Sequence, residues 1–202
     1  MTSSKTLIAA SKIFASLSLT GTKLTSTYHF DDIPILNPTG PTSPVGVYRT
    51  LNFPGFTVGT SLPASLIGLV PQSGTHAAVF NLETELLTLS PVSAITVQND
   101  GSTTKSFALG TFFYGIRVAT QESLVGLPAS GSIVAKGYNA AGALVAQQYF
   151  PYKFTADKQG LTEGKSGPQF TNLYNVTFSL EAKLSVAVVG VLDSVSLYTS
   201  TS

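Results

Sequence analysis

The sequence predicts an all-β chain, a single-domain antiparallel β-sandwich or jelly roll. Three observations carry that expectation. Only 10% of the 202 residues are charged, while 43% are hydrophobic, against roughly a quarter charged in an ordinary globular domain. Short runs rich in Val, Leu, Thr, Phe and Tyr recur along the chain, and these residues suit a pleated, half-buried surface. Turn clusters separate the runs: NPTGPTSP (37–44), PGF (54–56), PQSG (71–74), NDGS (99–102), LPASG (127–131), NAAG (139–142) and KQG (158–160). That punctuation is typical of sandwiches, and the length suits one domain with its own core.

Residues 1–25 read as an N-terminal extension. Lys5 precedes an apolar run, as in a signal peptide, but Lys12 interrupts the run and no A-x-A cleavage site follows. A short first strand or helix within LIAASKIFASL is the other reading. The sandwich domain is expected over 26–202. Its strands are expected near 26–30, 48–53, 77–82, 92–98, 107–119, 132–138, 144–153, 173–180, 184–190 and 192–198. LETELLTL suits one helical turn or an outer strand. The Pro-rich stretch 34–44 and TADKQGLTEGKSGPQ (155–169) read as long loops, where ligand lids occur.

Composition removes several function classes. The net charge is +1 with no run of like charges, so the basic stripe that neutralises phosphates is missing and no nucleic-acid partner is expected. No apolar stretch reaches the length of a membrane helix, and no membrane partner is expected. With no cysteine, disulfides and thiolate metal sites are excluded. The interrupted leader and the lack of cysteine lean towards an intracellular location. The alternative is secretion, where the sequon Asn175-Val176-Thr177 would matter. H-E-x-x-H, G-x-S-x-G, phosphate loops and dinucleotide fingerprints are all absent. Glu83 and Glu85 share a strand face but read better as a solvated surface than as a glycosidase pair. His29 and His76 are the only histidines.

YHFDDIP near the start and VGVLDSVSLYT near the end look like the first and last strands of a carbohydrate-binding-module-type sandwich. The central stretch FFYGIRVATQESLVGLPASGSIVAKGYNAAGALVAQQYF resembles a group of small fungal β-sandwich proteins with the motifs F-Y-F-G-C, P-x-x-C and G-Y-D-x-x-G. Here Ile116 stands at the first cysteine, and Gly131 or Ser132 at the second. The group is taken to include the hetero-Diels–Alderases of tropolone–sesquiterpene biosynthesis. The resemblance implies a structural calcium near Asp31, Asp32 and Asp193, although solvated strand ends explain the same residues. It also implies a cofactor-free pericyclase joining a quinone methide-type heterodiene to a terpenoid alkene. The alternative is a secreted, non-enzymatic carbohydrate-binding sandwich.

The residues themselves suggest where such chemistry would sit. In GTFFYGIRVA, Phe112, Tyr114, Ile116 and Val118 alternate with Thr111, Phe113, Gly115 and Arg117, so Arg117, one of two arginines, shares a face with Phe113. If this strand pairs with SIVAKGYNA as a hairpin, Phe113, Arg117, Lys136 and Tyr138 share one surface. LVAQQYFPYKF then adds Gln147 and Tyr149, or Gln148 and Tyr152 in the other register. Arg117 and Tyr138 are the expected donors, with Arg49 and His76 as substitutes. Tyr48, Phe113, Tyr114, Lys136, Gln147 and Tyr149 are the expected substrate contacts. The expected ligands are small, neutral and hydrophobic, with no cofactor, and an exposed sheet edge gives a route to a homodimer. The plainer readings lay the Arg117 stem over Phe113 with its head in water, or pair it with Glu122 or another acid.

Overall fold

Period-two alternation sets the strands, and glycines, prolines and left-handed residues bend or end them. The computed structural model describes residues 23–34, 43–60, 69–80, 92–118, 128–155, 160–181 and 188–201. Among these, every regular element is a strand. β1 (Lys23–Tyr28), β2 (Ser43–Tyr48), β3 (Leu51–Thr60) and β4 (His76–Phe80) come first. β5 (Ser93–Thr96), β6 (Thr104–Leu109), β7 (Thr111–Val118), β8 (Gly131–Tyr138) and β9 (Leu144–Tyr152) follow. β10 (Thr162–Lys165), β11 (Asn175–Glu181), β12 (Val188–Asp193) and β13 (Val195–Thr201) complete the order. The larger sheet runs β10-β7-β12-β4-β3-β5-β11-β8-β9, with β2 beside β3, and the smaller runs β1-β13-β6. The single antiparallel sandwich predicted from the sequence is the fold observed.

β3 folds the larger sheet onto itself. Its second half pairs with β4, Thr57 opposite Val79, while Asn52 near its start lies opposite Thr96 of β5. Between them sit Pro54, which has no ladder donor, and Gly55 at φ 74°, so the strand bends there. The layer of β7, β12 and β4 consequently faces the layer of β5, β11, β8 and β9. Aromatic rings fill the space between: Phe112 meets Phe150 at 4.8 Å and Phe178 at 6.1 Å, and Phe56 meets Phe178 at 5.9 Å. The tilted and edge-on geometries are those aromatic quadrupoles favour. At the rim, the Gln148 amide donates to the Lys165 carbonyl at 3.0 Å and accepts from the Gly167 N–H at 2.8 Å. This ties β9 to the end of β10 and brings the sandwich close to a barrel.

A corner joins the two sheets. β6 and β7 are nearly continuous, as are β12 and β13. The pairing register runs unbroken across the corner, with Asp193 opposite Phe113 and Leu197 opposite Leu109. Ser194 bends one strand at φ 49°. On the other, the Gly110 N–H donates to the Ser196 carbonyl at 2.9 Å.

Five expectations change. The run 48–53 is the end of β2, a turn at Arg49 and Thr50, and the start of β3; Arg49 adopts φ 56°. The stretch 155–169 contains β10, and β1 begins within the expected extension. The run 107–119 splits at Gly110. Most important, β7 and β8 do not form a hairpin: β7 pairs with β10 and β12, and β8 with β9 and β11. The segments LIAASKIFASL and LETELLTL, with Glu83 and Glu85, lie outside the described residues.

Candidate functional site

Because β7 and β8 occupy opposite layers, the expected polar surface divides in two. Lys136 lies opposite Gln147 and Val134 opposite Tyr149, so Lys136, Tyr138, Gln147 and Tyr149 decorate the outside of one layer. There Gln147 donates to the Tyr149 hydroxyl at 3.0 Å. Arg117 and Phe113 lie on the outside of the other layer. Tyr114 shares neither surface. Its ring is buried among Phe112, Phe150 and Tyr152, and its hydroxyl donates to the Pro151 carbonyl at 2.7 Å.

Arg117 is not solvated. It is 7% exposed, beneath a cover that Gly115 makes possible. A Cβ at Gly115 would sit 2.6 Å from a Leu69 methyl and 2.9 Å from a Leu161 methyl. Its absence lets both leucines close over the outer face of β7. Arg117 borders a hollow of about 30 Å³ walled by Gly59, Thr60, Leu69, Pro71, Val79 and Val191. Among the described residues no carboxylate lines it; Glu122, an expected partner, lies outside them. The Arg117 Nε is buried without a hydrogen-bond partner, and burial pushes the guanidinium pKa down to about 10. A cation held dry with no carboxylate beside it among the described residues is costly, and this group is a candidate for function.

The other expected residues have structural partners. Tyr48 is buried, and its hydroxyl donates to Asp32. Burial first, and that bond second, push its pKa up to about 12. Arg49 donates to the Thr27 carbonyl at 2.9 Å and lies over the Tyr28 and Tyr48 rings at 5.4 and 5.3 Å. The His76 N–H donates to Asp31, while its ring Nδ1 is buried without a partner. Asp31 and Asp193 converge on Ser73, but Asp32 turns away to Tyr48. Among the described residues, no group of three acids or histidines is placed to hold a metal ion.

A second feature lies on the smaller sheet, away from every residue the sequence pattern marks for chemistry. A trough of about 570 Å³ opens along the outside of the smaller sheet, within the size range of small-molecule sites. Ala108, Gly110 and Tyr198 line it, with Lys23 and Lys165 also at its wall. A second hollow of about 360 Å³ shares Ser106 and Asn172 with it and extends the path to Lys105, Asn139 and Tyr174. Where the two meet, the Ser106 hydroxyl donates to the Asn172 side chain at 3.1 Å. The alternation in SVSLYTST held the signal: Tyr198 falls on the face opposite Leu197 and Thr199, and is 43% exposed.

In fold, the chain is similar to a DUF4465 family protein from Bacteroides caccae, at 13% identity. The match covers 86% of this chain and 98% of that one, with a TM-score of 0.54. Looser matches are the cleaved adhesin domain of Lys-gingipain from Porphyromonas gingivalis (12% identity, 88% and 98% covered, TM-score 0.45) and the Stig cyclase Fisc from Fischerella sp. TAU (15%, 94% and 93%, 0.36). The first bears on the fold alone, and the other two support no argument. No protein-family model matches the chain, and no curated protein matches its sequence.

Proposed function

We propose that this protein is a cofactor-free cyclase for a small, neutral, largely apolar substrate, with Arg117 as its hydrogen-bond donor. The observation that carries this reading is the guanidinium itself, dry, bordering an apolar hollow and unmatched by a carboxylate among the described residues. The hollow has room for a single oxygen atom. A substrate carbonyl oxygen would enter it, with the rest of the molecule outside.

The reaction that fits is a hetero-Diels–Alder addition. A heterodiene C=C–C=O adds to an alkene, one C–O and one C–C bond form, and three π bonds become one. No atom leaves and no electron acceptor is required. Charge builds on the oxygen during the addition, and a preorganised donor in a low-dielectric site opposes that build-up most strongly. Holding the two partners together supplies the remaining acceleration. Phe113, on the same outer face, is a candidate contact for the alkene partner.

The test is incubation of the purified protein with a quinone methide-type heterodiene and a terpenoid alkene, against a control without protein. Faster, stereoselective adduct formation that drops roughly a hundredfold in Arg117→Met supports the reading. An adduct rate equal to the control refutes it.

A second reading, a non-catalytic carbohydrate-binding sandwich, is favoured by a different observation: the open trough beside Tyr198, lined by hydroxyl and amide groups.

A further inference from the structure

The chain is close to electrically balanced, with eleven basic and ten acidic residues. The trough is not. Lys23 and Lys165 line its larger part and Lys105 its extension, and among its described lining residues there is no aspartate or glutamate. All three lysines are exposed, so their ammonium groups remain hydrated point charges on flexible stems. The surface between them combines an exposed aromatic ring with groups that both donate and accept: Ser106, Thr111 and Ser200 hydroxyls and the Asn172 amide. The shape is long and open rather than enclosed.

A ligand matched to this surface is elongated, has a flat C–H face to lie on Tyr198, carries many hydroxyls, and bears negative charge at intervals. Resting on the carbohydrate-binding reading and extending it, we infer that the trough binds an acidic saccharide, a chain of uronate-bearing sugars. A nucleic acid fits less well. Three lysines are few for a phosphate backbone, and the chain lacks the basic stripe that such binders carry. The site is separate from the Arg117 hollow, with which it shares no lining residue.

The experiment is calorimetric titration of the full chain with three probes: an oligogalacturonate, a neutral xylo-oligosaccharide of equal length, and a single-stranded DNA oligonucleotide. The oligogalacturonate is expected to bind at least tenfold more tightly than the other two, and less tightly as salt is raised. Lys23→Gln and Lys165→Gln should each weaken it roughly threefold, and Tyr198→Ala roughly fivefold. Circular dichroism of these surface variants checks that each still folds. Equal affinity for the neutral chain overturns the acidic assignment and leaves the carbohydrate-binding reading standing. Tighter DNA binding overturns the assignment in favour of a nucleic acid. No binding of either saccharide removes both.

Discussion

Asp31 and Asp193, from near opposite ends of the described chain, share one hydroxyl: Ser73 Oγ lies 3.1 Å from a carboxylate oxygen of each. Asp193 also accepts from the Ser73 and Ser194 N–H groups, and Asp31 from those of Thr75 and His76. Burial raises the Asp193 pKa, backbone bonds offset part of that, and the nearby Asp31 raises it further. At Asp31, burial alone would raise the value, but the bonds from His76, Thr75 and Ser73 together outweigh it and hold the value low. The cluster pins the β1 end to the loop before β4 and to the sheet corner.

Ser73→Ala removes the shared hydroxyl while keeping the Ser73 N–H. The expected loss is about 1 kcal/mol at neutral pH. The sign of the pH effect follows from Asp193. Its folded pKa lies above its unfolded one, so protonation favours the fold, and stability from this group is gained as pH falls through the raised value. Without the hydroxyl the two carboxylates repel more strongly and that gain is larger, so the deficit of Ser73→Ala should shrink between pH 7 and pH 4. Urea melts at both pH values measure it, and a deficit that grows in acid contradicts the shared-hydroxyl account.

Gly190 is required by the core rather than by a turn. A Cβ there would fall within the Phe80 ring, directly across the β12–β4 pairing. Phe80 is fully buried and packs on Phe56 and Phe178, so it has nowhere to move. Gly190→Ala is expected to destabilise by about 3 kcal/mol through overpacking. A thermal melt within a degree of the parent would show that Phe80 has another rotamer available.

Tyr114 joins the two layers by one bond to the Pro151 carbonyl. Tyr114→Phe keeps the ring packing and leaves that carbonyl without its partner. The expected cost is about 1 kcal/mol, with no effect on cycloaddition, because the ring lies in the core and not on the Arg117 face. A loss of catalysis with unchanged stability would put Tyr114 at the reaction.

The alternation in GTFFYGIRVA was enough to assign Phe112, Tyr114 and Ile116 to the core and Arg117 to the other face. Composition and turn spacing were enough for the sandwich. Strand pairing was not legible, because β7 and β8, nearly adjacent in sequence, enter opposite layers, and no local pattern records which strand inserts between them. Nor was the burial of Arg117. It depends on Leu69 and Leu161, far away in sequence, reaching the gap left by Gly115. β2 and β10 hid in stretches whose prolines and glycines read as loops.

Arg117→Met separates a functional guanidinium from a structural one. A folded pKa of about 10, well below the ordinary guanidinium range, corresponds to roughly 3 kcal/mol disfavouring the charged form. A thioether of similar reach removes that cost and still fills the wall of the hollow that Leu69 and Val191 share. The variant is therefore expected to be more stable by about 1 kcal/mol, with Tm higher by roughly 3 °C, while losing the cycloaddition. The pH dependence has a definite direction. Because the folded value lies below the unfolded one, the unfolded chain binds more protons from about pH 10 upwards, so the parent gains stability as pH rises above that value. Turnover should move the other way, flat at neutral pH and falling above about 10 as the donor loses its charge. Arg117→Met should show neither the stability gain nor the turnover. If it melts well below the parent instead, the guanidinium is bonded into the fold, and the donor role proposed for it is wrong.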